Sequence, residues 1–172
     1  MMPNFSIHRL SQADRDWVRE KILASWEADV VVAHGKLFRP VDLAGFAAFV
    51  EGVPVGLATY HIHGRACEIV TLDSLCEGIG VGSALVEAVR QAADQAGCRR
   101  LFLVTTNNNL RALHFYQKRG FVIARVRVNA IAFSRKLKPE IPFKDEDGLP
   151  IRDEVELEMA VRRTDLLSGR RL

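Results

Sequence analysis

The pattern of apolar and polar positions along the chain predicts seven strands and three main helices. Apolar runs with a period of two, or short continuous runs between turn residues, are typical of strands, and apolar spacings of three and four are typical of helices. Ser11 and Asp14 have the spacing of a capping box at the first helix start. The helices are predicted at residues 11–27, 80–96 and 110–119. The strands are predicted at residues 5–10, 44–50, 53–62, 65–72, 101–104, 121–128 and 151–161.

Short glycine turns join the strands at 44–50, 53–62 and 65–72, so these three are predicted to form an antiparallel meander. The continuous apolar strand at 101–104 follows a helix, and a right-handed crossover places it parallel to the strand that ends at Leu72. The expected fold is α/β, with a mixed, mostly antiparallel twisted sheet of about seven strands. One central pair is parallel, and helices cover both faces. Gly56, inside a strand, predicts a bulge or a close backbone approach.

Two stretches are irregular and leave alternatives open. Residues 30–32 favour a short strand, although His34-Gly35 and Arg39-Pro40 break the pattern. Residues 130–150 form a lid, a partner surface, or a connection shortened by a helix at 130–137. We expect one domain over residues 1–163 and a frayed tail at 164–172.

Composition narrows the functional class. The 172 residues are 48% hydrophobic and 26% charged, as in ordinary globular domains. The net charge of +3 suits an anionic cofactor but is too small and scattered to favour nucleic acid. The N-terminus lacks the features of a targeting segment, and no stretch approaches about 18 apolar residues, so we expect a cytoplasmic protein without a membrane partner.

The cysteines and histidines give no sign of a metal or disulfide site. Three cysteines, an odd number, contain no Cys-x-x-Cys pair. Cys76, next to the glycine-rich segment, is a candidate reactive thiol because a helix start lowers the pKa of a thiol. His61 and His63 share one strand face but lack a third ligand, so we expect no metal.

Residues 72–85 carry the strongest chemical signal. A strand end leads through Gly78, Gly80 and Gly82 into a helix, which is a backbone trap for an anion such as phosphate. A Walker loop is excluded because no lysine followed by Ser or Thr comes after the last glycine, and the dinucleotide fingerprint fits poorly.

Two sequence blocks together resemble the GCN5-related N-acetyltransferase (GNAT) family. The first, Glu77-Gly78-Ile79-Gly80-Val81-Gly82, is similar to the family's Gln/Arg-x-x-Gly-x-Gly/Ala loop. The second, at 109–121, resembles Asn-x-x-Ala-x-x-x-Tyr-x-x-x-Gly-Phe. Glu77 departs from the motif, and its carboxylate beside a pyrophosphate would weaken binding of coenzyme A.

The resemblance implies acetyl-CoA as co-substrate and assigns provisional roles to residues. Backbone amides of the loop would hold the pyrophosphate, strand residues would run along the pantetheine arm, and Tyr116 would protonate the departing thiolate. Asn109 would contact the cofactor or cap a helix. The implied cofactor-binding residues are Val70, Leu72, Glu77, Gly78, Ile79, Gly80, Val81, Gly82, Ser83 and Asn109.

Glu68 is the favoured general base, because it lies on the strand that leads to the loop and, by alternation, on the same face as Val70 and Leu72. His61, His63 and Asp73 are alternatives. The resemblance thus implies direct acetyl transfer to a primary amine of a small molecule or protein. Residues 29–43 and 130–150 are expected to recognise that acceptor.

Other functions stay open. They are transfer of a different acyl group, transfer to oxygen, and a non-catalytic acyl-CoA-binding or regulatory module. An exposed strand edge at the C-terminus would permit a homodimer.

Overall fold

The computed structural model describes residues 4–26, 28–75 and 78–161. Cys76, Glu77 and the predicted tail lie outside the described residues. The α-helices are α1 (Arg15–Trp26), α2 (Val81–Gln95), α3 (Leu110–Gln117) and α4 (Ala130–Leu137). The strands are β1 (Phe5–Arg9), β2 (Val31–Ala33), β3 (Lys36–Phe38), β4 (Ala44–Val50), β5 (Val53–His63), β6 (Ala66–Ser74), β7 (Arg100–Thr106), β8 (Val122–Arg127) and β9 (Glu154–Ala160). None of the described helices is both long and apolar enough to cross a membrane.

Seven strands form one mixed sheet in the order β1-β4-β5-β6-β7-β9-β8. The β6–β7 pair is parallel and all other neighbours are antiparallel, which confirms the predicted architecture. The C-terminal strand β9 lies inside the sheet, between β7 and β8. The expected free edge at the C-terminus was therefore wrong, and β1 and β8 are the edge strands.

The two faces of the sheet carry separate apolar clusters. On one face, α2 buries Val81, Leu85 and Val89 against β4, β5 and β6. On the other, α1 packs Val18 and Ile22 against Leu57 of β5. The faces are hereafter called the α2 face and the α1 face. The capping box is present before α1, where the Ser11 backbone N–H donates to the Asp14 carboxylate at 2.7 Å.

A bulge in β6 changes which side chains share a face. Tyr60 of β5 pairs with Ile69 and Thr59 pairs with Thr71, so Val70 is an extra residue in β6. The alternation that placed Glu68, Val70 and Leu72 on one face is therefore wrong. Glu68 lies opposite His61 on the α1 face, whereas Leu72 lies opposite Ala58 on the α2 face.

The irregular stretches form short, well-defined elements. β2 and β3 make a small hairpin around His34-Gly35, so the residues that looked like breakers are its turn. His34 has a φ of 41° and Gly35 a φ of 75°. Helix α4 occupies the predicted range 130–137 and shortens the long connection before β9.

Gly56 is both a bulge site and a close approach, as predicted. The β4–β5 register shifts beside it, between the pairs Ala48–Gly56 and Phe49–Pro54. A Cβ atom at Gly56 would lie 2.7 Å from Val81 Cγ1 and 3.0 Å from Leu85 Cδ1. Absence of a side chain here lets the first turns of α2 rest directly on the sheet.

We therefore expect Gly56→Val to lower the free energy of unfolding by about 1–3 kcal/mol, because α2 must move off β5. Chemical denaturation followed by circular dichroism measures this change. The control is Val53→Ala on the same strand, where the side chain is 61% exposed and the expected change is within about 0.5 kcal/mol. Equal stabilities of Gly56→Val and the wild type would contradict the close packing of α2.

Candidate functional site

The parallel pair β6–β7 separates soon after it begins. The strands are in register only at Ala66–Arg100, Cys67–Leu101 and Glu68–Phe102. From Ile69 to Leu72 the edge of β6 that faces β7 pairs with no strand in the described part of the chain, so its N–H and C=O groups there are available to a ligand. A cavity of about 310 Å³ opens in this gap. Its wall includes Val70 and Leu72 of β6, Val104 of β7, and residues of α2 and α3.

The glycine-rich segment brings the N-terminus of α2 to the mouth of this cavity. Gly78 and Gly80 have φ values of 80° and 88°, which L-residues with side chains rarely adopt. Gly80 is the N-cap residue, so the N–H groups of Val81, Gly82 and Ser83 begin the helix without intrahelical partners. These donors and the helix dipole favour an anion.

Gly82 contacts Phe115 of α3, and Ser83 contacts Arg119, which follows α3. A Cβ at Gly82 would lie 3.1 Å from the Phe115 ring. The guanidinium of Arg119 stacks on that ring at 3.4 Å from its centroid and donates to Ser83 Oγ from Nε at 2.9 Å and Nη2 at 2.7 Å. A positive charge therefore lies beside the first turn of α2.

Tyr116 lines the cavity from α3 and is 6% exposed. Its ring packs edge-on against Phe115 and Phe121, with centroids 5.0 and 5.2 Å away. Burial raises the pKa of Tyr116 well above its ordinary value, and nearby Arg119 opposes this only in part. The phenol is thus protonated throughout the physiological pH range.

Asn109 has a structural role and also lines the cavity. It is the N-cap of α3, and its side-chain oxygen accepts a hydrogen bond from the Ala112 backbone N–H at 3.1 Å. The cap occupies one lone pair of this oxygen. A ligand contact by Asn109 would use its amide NH₂ or the second lone pair of this oxygen.

Glu68 lies outside the cavity wall, buried on the α1 face with only 4% exposed. Both of its carboxylate oxygens lie 2.9 Å from Nε2 of His34. An ionised carboxylate only accepts hydrogen bonds, so the tautomer with a proton on Nε2 satisfies this pair. The backbone N–H of His34 donates to Glu154 Oε1 at 3.0 Å, which fixes the hairpin turn over the sheet.

The three alternative bases are placed differently. Asp73 lines the cavity but forms an ion pair with Lys21 at 2.9 Å and accepts from Ser25 at 2.5 Å. His61 lies opposite Glu68 and contacts Phe38, with ring centroids 5.7 Å apart. His63 is exposed at the end of β5. No group of three metal-ligating side chains occurs among the described residues.

The comparison with known proteins agrees with this geometry. Residues 7–121 match the model of the Acetyltransferase (GNAT) family. The chain belongs to the GNAT family. Over 131 residues it is 46% identical to the uncharacterized protein YdhI of Bacillus subtilis strain 168, covering 76% of this chain and 82% of YdhI.

Solved structures share the GNAT fold at low sequence identity. A GNAT family acetyltransferase from Elizabethkingia anophelis with acetyl-CoA bound has a TM-score of 0.62 and 19% identity, covering 91% of this chain and 98% of that one. A putative streptothricin acetyltransferase from Bacillus anthracis in complex with acetyl coenzyme A has a TM-score of 0.64 and 15% identity, covering 91% and 99%.

Sequence analysis predicted no functional role for two residues at the site of this GNAT domain. Arg119 lies within the second sequence block, and its position next to Ser83 comes from the packing of α3 on α2. His34 is 34 residues away from Glu68, so no local pattern connects them. The His-Gly pair signals only the turn, and its proximity to Glu68 depends on how the hairpin folds over the sheet.

Proposed function

We propose that this protein is an acetyl-CoA-dependent N-acetyltransferase that passes an acetyl group directly to a primary amine. The observation that carries the proposal is the gap between β6 and β7, with Tyr116 in its wall and the N-terminus of α2 at its mouth. An extended chain with amide groups, such as pantetheine, suits the unpaired edge of β6. A pyrophosphate suits the free N–H groups of α2.

The bulge at Val70 supplies the group that would polarise the thioester. The extra residue of a β-bulge is left out of the regular ladder of hydrogen bonds between the strands. Val70 is this residue in β6, and it lines the cavity. A backbone N–H in this place can donate to the oxygen on which negative charge develops during attack by the amine. Such preorganised donors contribute strongly to acyl transfer because they need no rearrangement.

His34 and Glu68 form the pair that would accept the proton of the amine. With Nε2 protonated toward Glu68, Nδ1 of neutral His34 has the free lone pair. Glu68 holds the ring and stabilises the imidazolium that forms, as a carboxylate does for a catalytic histidine. In this proposal Glu68 acts through His34 and not as the sole base.

Tyr116 would protonate the departing sulfur as the C–S bond breaks and the C–N bond forms. An ordinary phenol and thiol differ by about 1.5 units in pKa, or about 2 kcal/mol. Burial raises the pKa of Tyr116, which by itself makes donation harder. The thiolate would form in the same cavity, where desolvation raises its basicity too, so the difference remains modest. Solvent then restores the proton to the phenol.

The first test is binding of acetyl-CoA measured by calorimetric titration. Gly80→Asp places a side chain with a negative charge at the start of α2, where φ is 88°, and we expect it to weaken binding at least about 100-fold. Gly64→Asp is the matched control, because Gly64 has a φ of 58° in the β5–β6 turn with open space around it. Equal affinities of the two variants would contradict the phosphate site.

Transfer itself is tested with Tyr116→Phe. We expect kcat to fall by about 100-fold while the KM for acetyl-CoA changes by less than about threefold, because only the proton donor is lost. Since burial keeps the phenol protonated, wild-type activity should not decline on the alkaline side below about pH 10. Steady-state release of coenzyme A from pH 6 to 10 measures both effects. Tight binding of acetyl-CoA without transfer to any amine would indicate a non-catalytic acyl-CoA-binding module instead.

The proton acceptor is tested with His34→Gly, because glycine tolerates the positive φ and leaves space for a free imidazole. We expect kcat/KM for the amine to fall by about 100-fold and to recover in part with added imidazole. Glu68→Gln should lower the same parameter without such rescue. His61→Ala is the control and should retain activity. Loss of activity in His61→Ala alone would transfer the role to that residue.

A further inference from the structure

A second cavity, of about 400 Å³, lies on the α1 face and has His34 in its wall. Its charged wall comes from the hairpin turn and from strands β7, β8 and β9, through His34, Arg100, Arg125, Arg127, Glu156 and Glu158. His34 connects this cavity to Glu68. Val104 in the wall of the first cavity lies directly opposite Glu156 in the wall of the second. The walls of the two cavities therefore include neighbouring residues of β7 and β9.

The acidic side chains of this cavity are already neutralised. Arg100 forms ion pairs with both Glu156 and Glu158, and Arg127 Nη2 donates to Glu156 at 2.5 Å. Burial opposes ionisation of Glu156, but the hydrogen bonds from Arg127 and Arg100 outweigh it and hold the pKa of that carboxyl below its usual value. These carboxylates are not free to bind a cationic ligand.

One arginine in the same wall remains available. Arg125 is exposed to the cavity, and no ion pair of Arg125 is found within residues 4–26, 28–75 and 78–161. Arg127 is engaged by the carboxylates of β9, because its Nη2 donates to Glu156 and its buried Nη1 lies 4.0 Å from Glu154 Oε2. Unsatisfied guanidinium donors in a cavity favour a carboxylate, which they bind with fixed geometry.

We infer that the acceptor is a small amine that also carries a carboxylate, as a free amino acid does, with its amine at His34 and its carboxylate at Arg125. The inference rests on the proposed acetyl transfer. The volume is that of a small-molecule site. From Glu68 to Arg125 the sheet crosses three strand spacings of roughly 5 Å each, and the side chains of His34 and Arg125 shorten this distance within the shared cavity.

The experiment compares matched acceptors and a matched pair of variants. Release of coenzyme A from acetyl-CoA is measured with a panel of α- and ω-amino acids, each beside its primary amide. The wild type should prefer an acid to its amide by about tenfold or more, the loss expected when a charge-assisted contact is missing. Arg125→Gln should raise the KM for that acid by about tenfold with kcat little changed, and Arg125→Lys should retain part of the preference.

Arg19→Gln removes an exposed arginine from α1 and is the control for charge alone. We expect it to behave as the wild type. Equal turnover of acids and amides by the wild type, or an unchanged KM in Arg125→Gln, would overturn the inference while acetyl transfer stands.

A binding measurement separates failure of this inference from failure of the proposed function. N-acetyl amino acids, which resemble the product and cannot react again, are added with coenzyme A while thermal unfolding is followed. A ligand that binds the native state raises the midpoint. We expect the acid, but not its amide, to stabilise the wild type and not Arg125→Gln. If the acid stabilises the wild type in this way but no acetyl transfer is detected, the carboxylate site stands and the proposed enzymatic activity is wrong. No stabilisation and no preference would reject the site.

Discussion

The gap between β6 and β7 is the constraint on which the site depends. Parallel strands normally continue side by side, but here the pairing stops after three registered positions and the Val70 bulge turns β6 away. Unpaired backbone groups inside a domain are costly unless a ligand or water satisfies them. The gap also sets the places of the helices, because α2 begins where β6 ends and α3 begins where β7 ends. The sheet therefore opens at the point where two helix starts converge.

The α1 face of the sheet buries acidic side chains, and these require partners. Glu154 and Glu156 are 2% and 6% exposed, and buried charges are tolerated only when they are paired. Arg100 and Arg127 come from the strands on either side of β9, and Ser134 and the His34 backbone reach Glu154 from α4 and the hairpin. Hairpin, helix and sheet are thus joined by polar contacts on one strand, which gives the charged cavity a rigid wall.

Local pattern predicted what depends on local chemistry. The glycine turns of the meander, the positive φ of Gly78 and Gly80, the bulge at Gly56 and the helix position of Tyr116 all follow from residue types and spacing. The β6 bulge did not, because nothing in the residues around Val70 distinguishes it, and one extra residue reversed the face assigned to Leu72. The charged wall had a signal in the alternation of Glu154, Glu156 and Glu158 with Val155 and Leu157. Its arginine partners depend on strand order, which only long-range pairing decides.

The two faces divide the chemistry between them. The bulge at Val70 leaves Glu68 on the α1 face, while Tyr116 reaches the gap from α3. In the proposed reaction the proton acceptor and the proton donor would therefore approach the thioester from different directions. In that proposed reaction the amine would lose a proton to His34 while the departing sulfur gains one from Tyr116. His34 is held at a φ of 41°, an unfavourable conformation for a side-chain residue. Its hydrogen bonds to Glu68 and Glu154 offset that strain, and they fix the imidazole in the wall of the charged cavity.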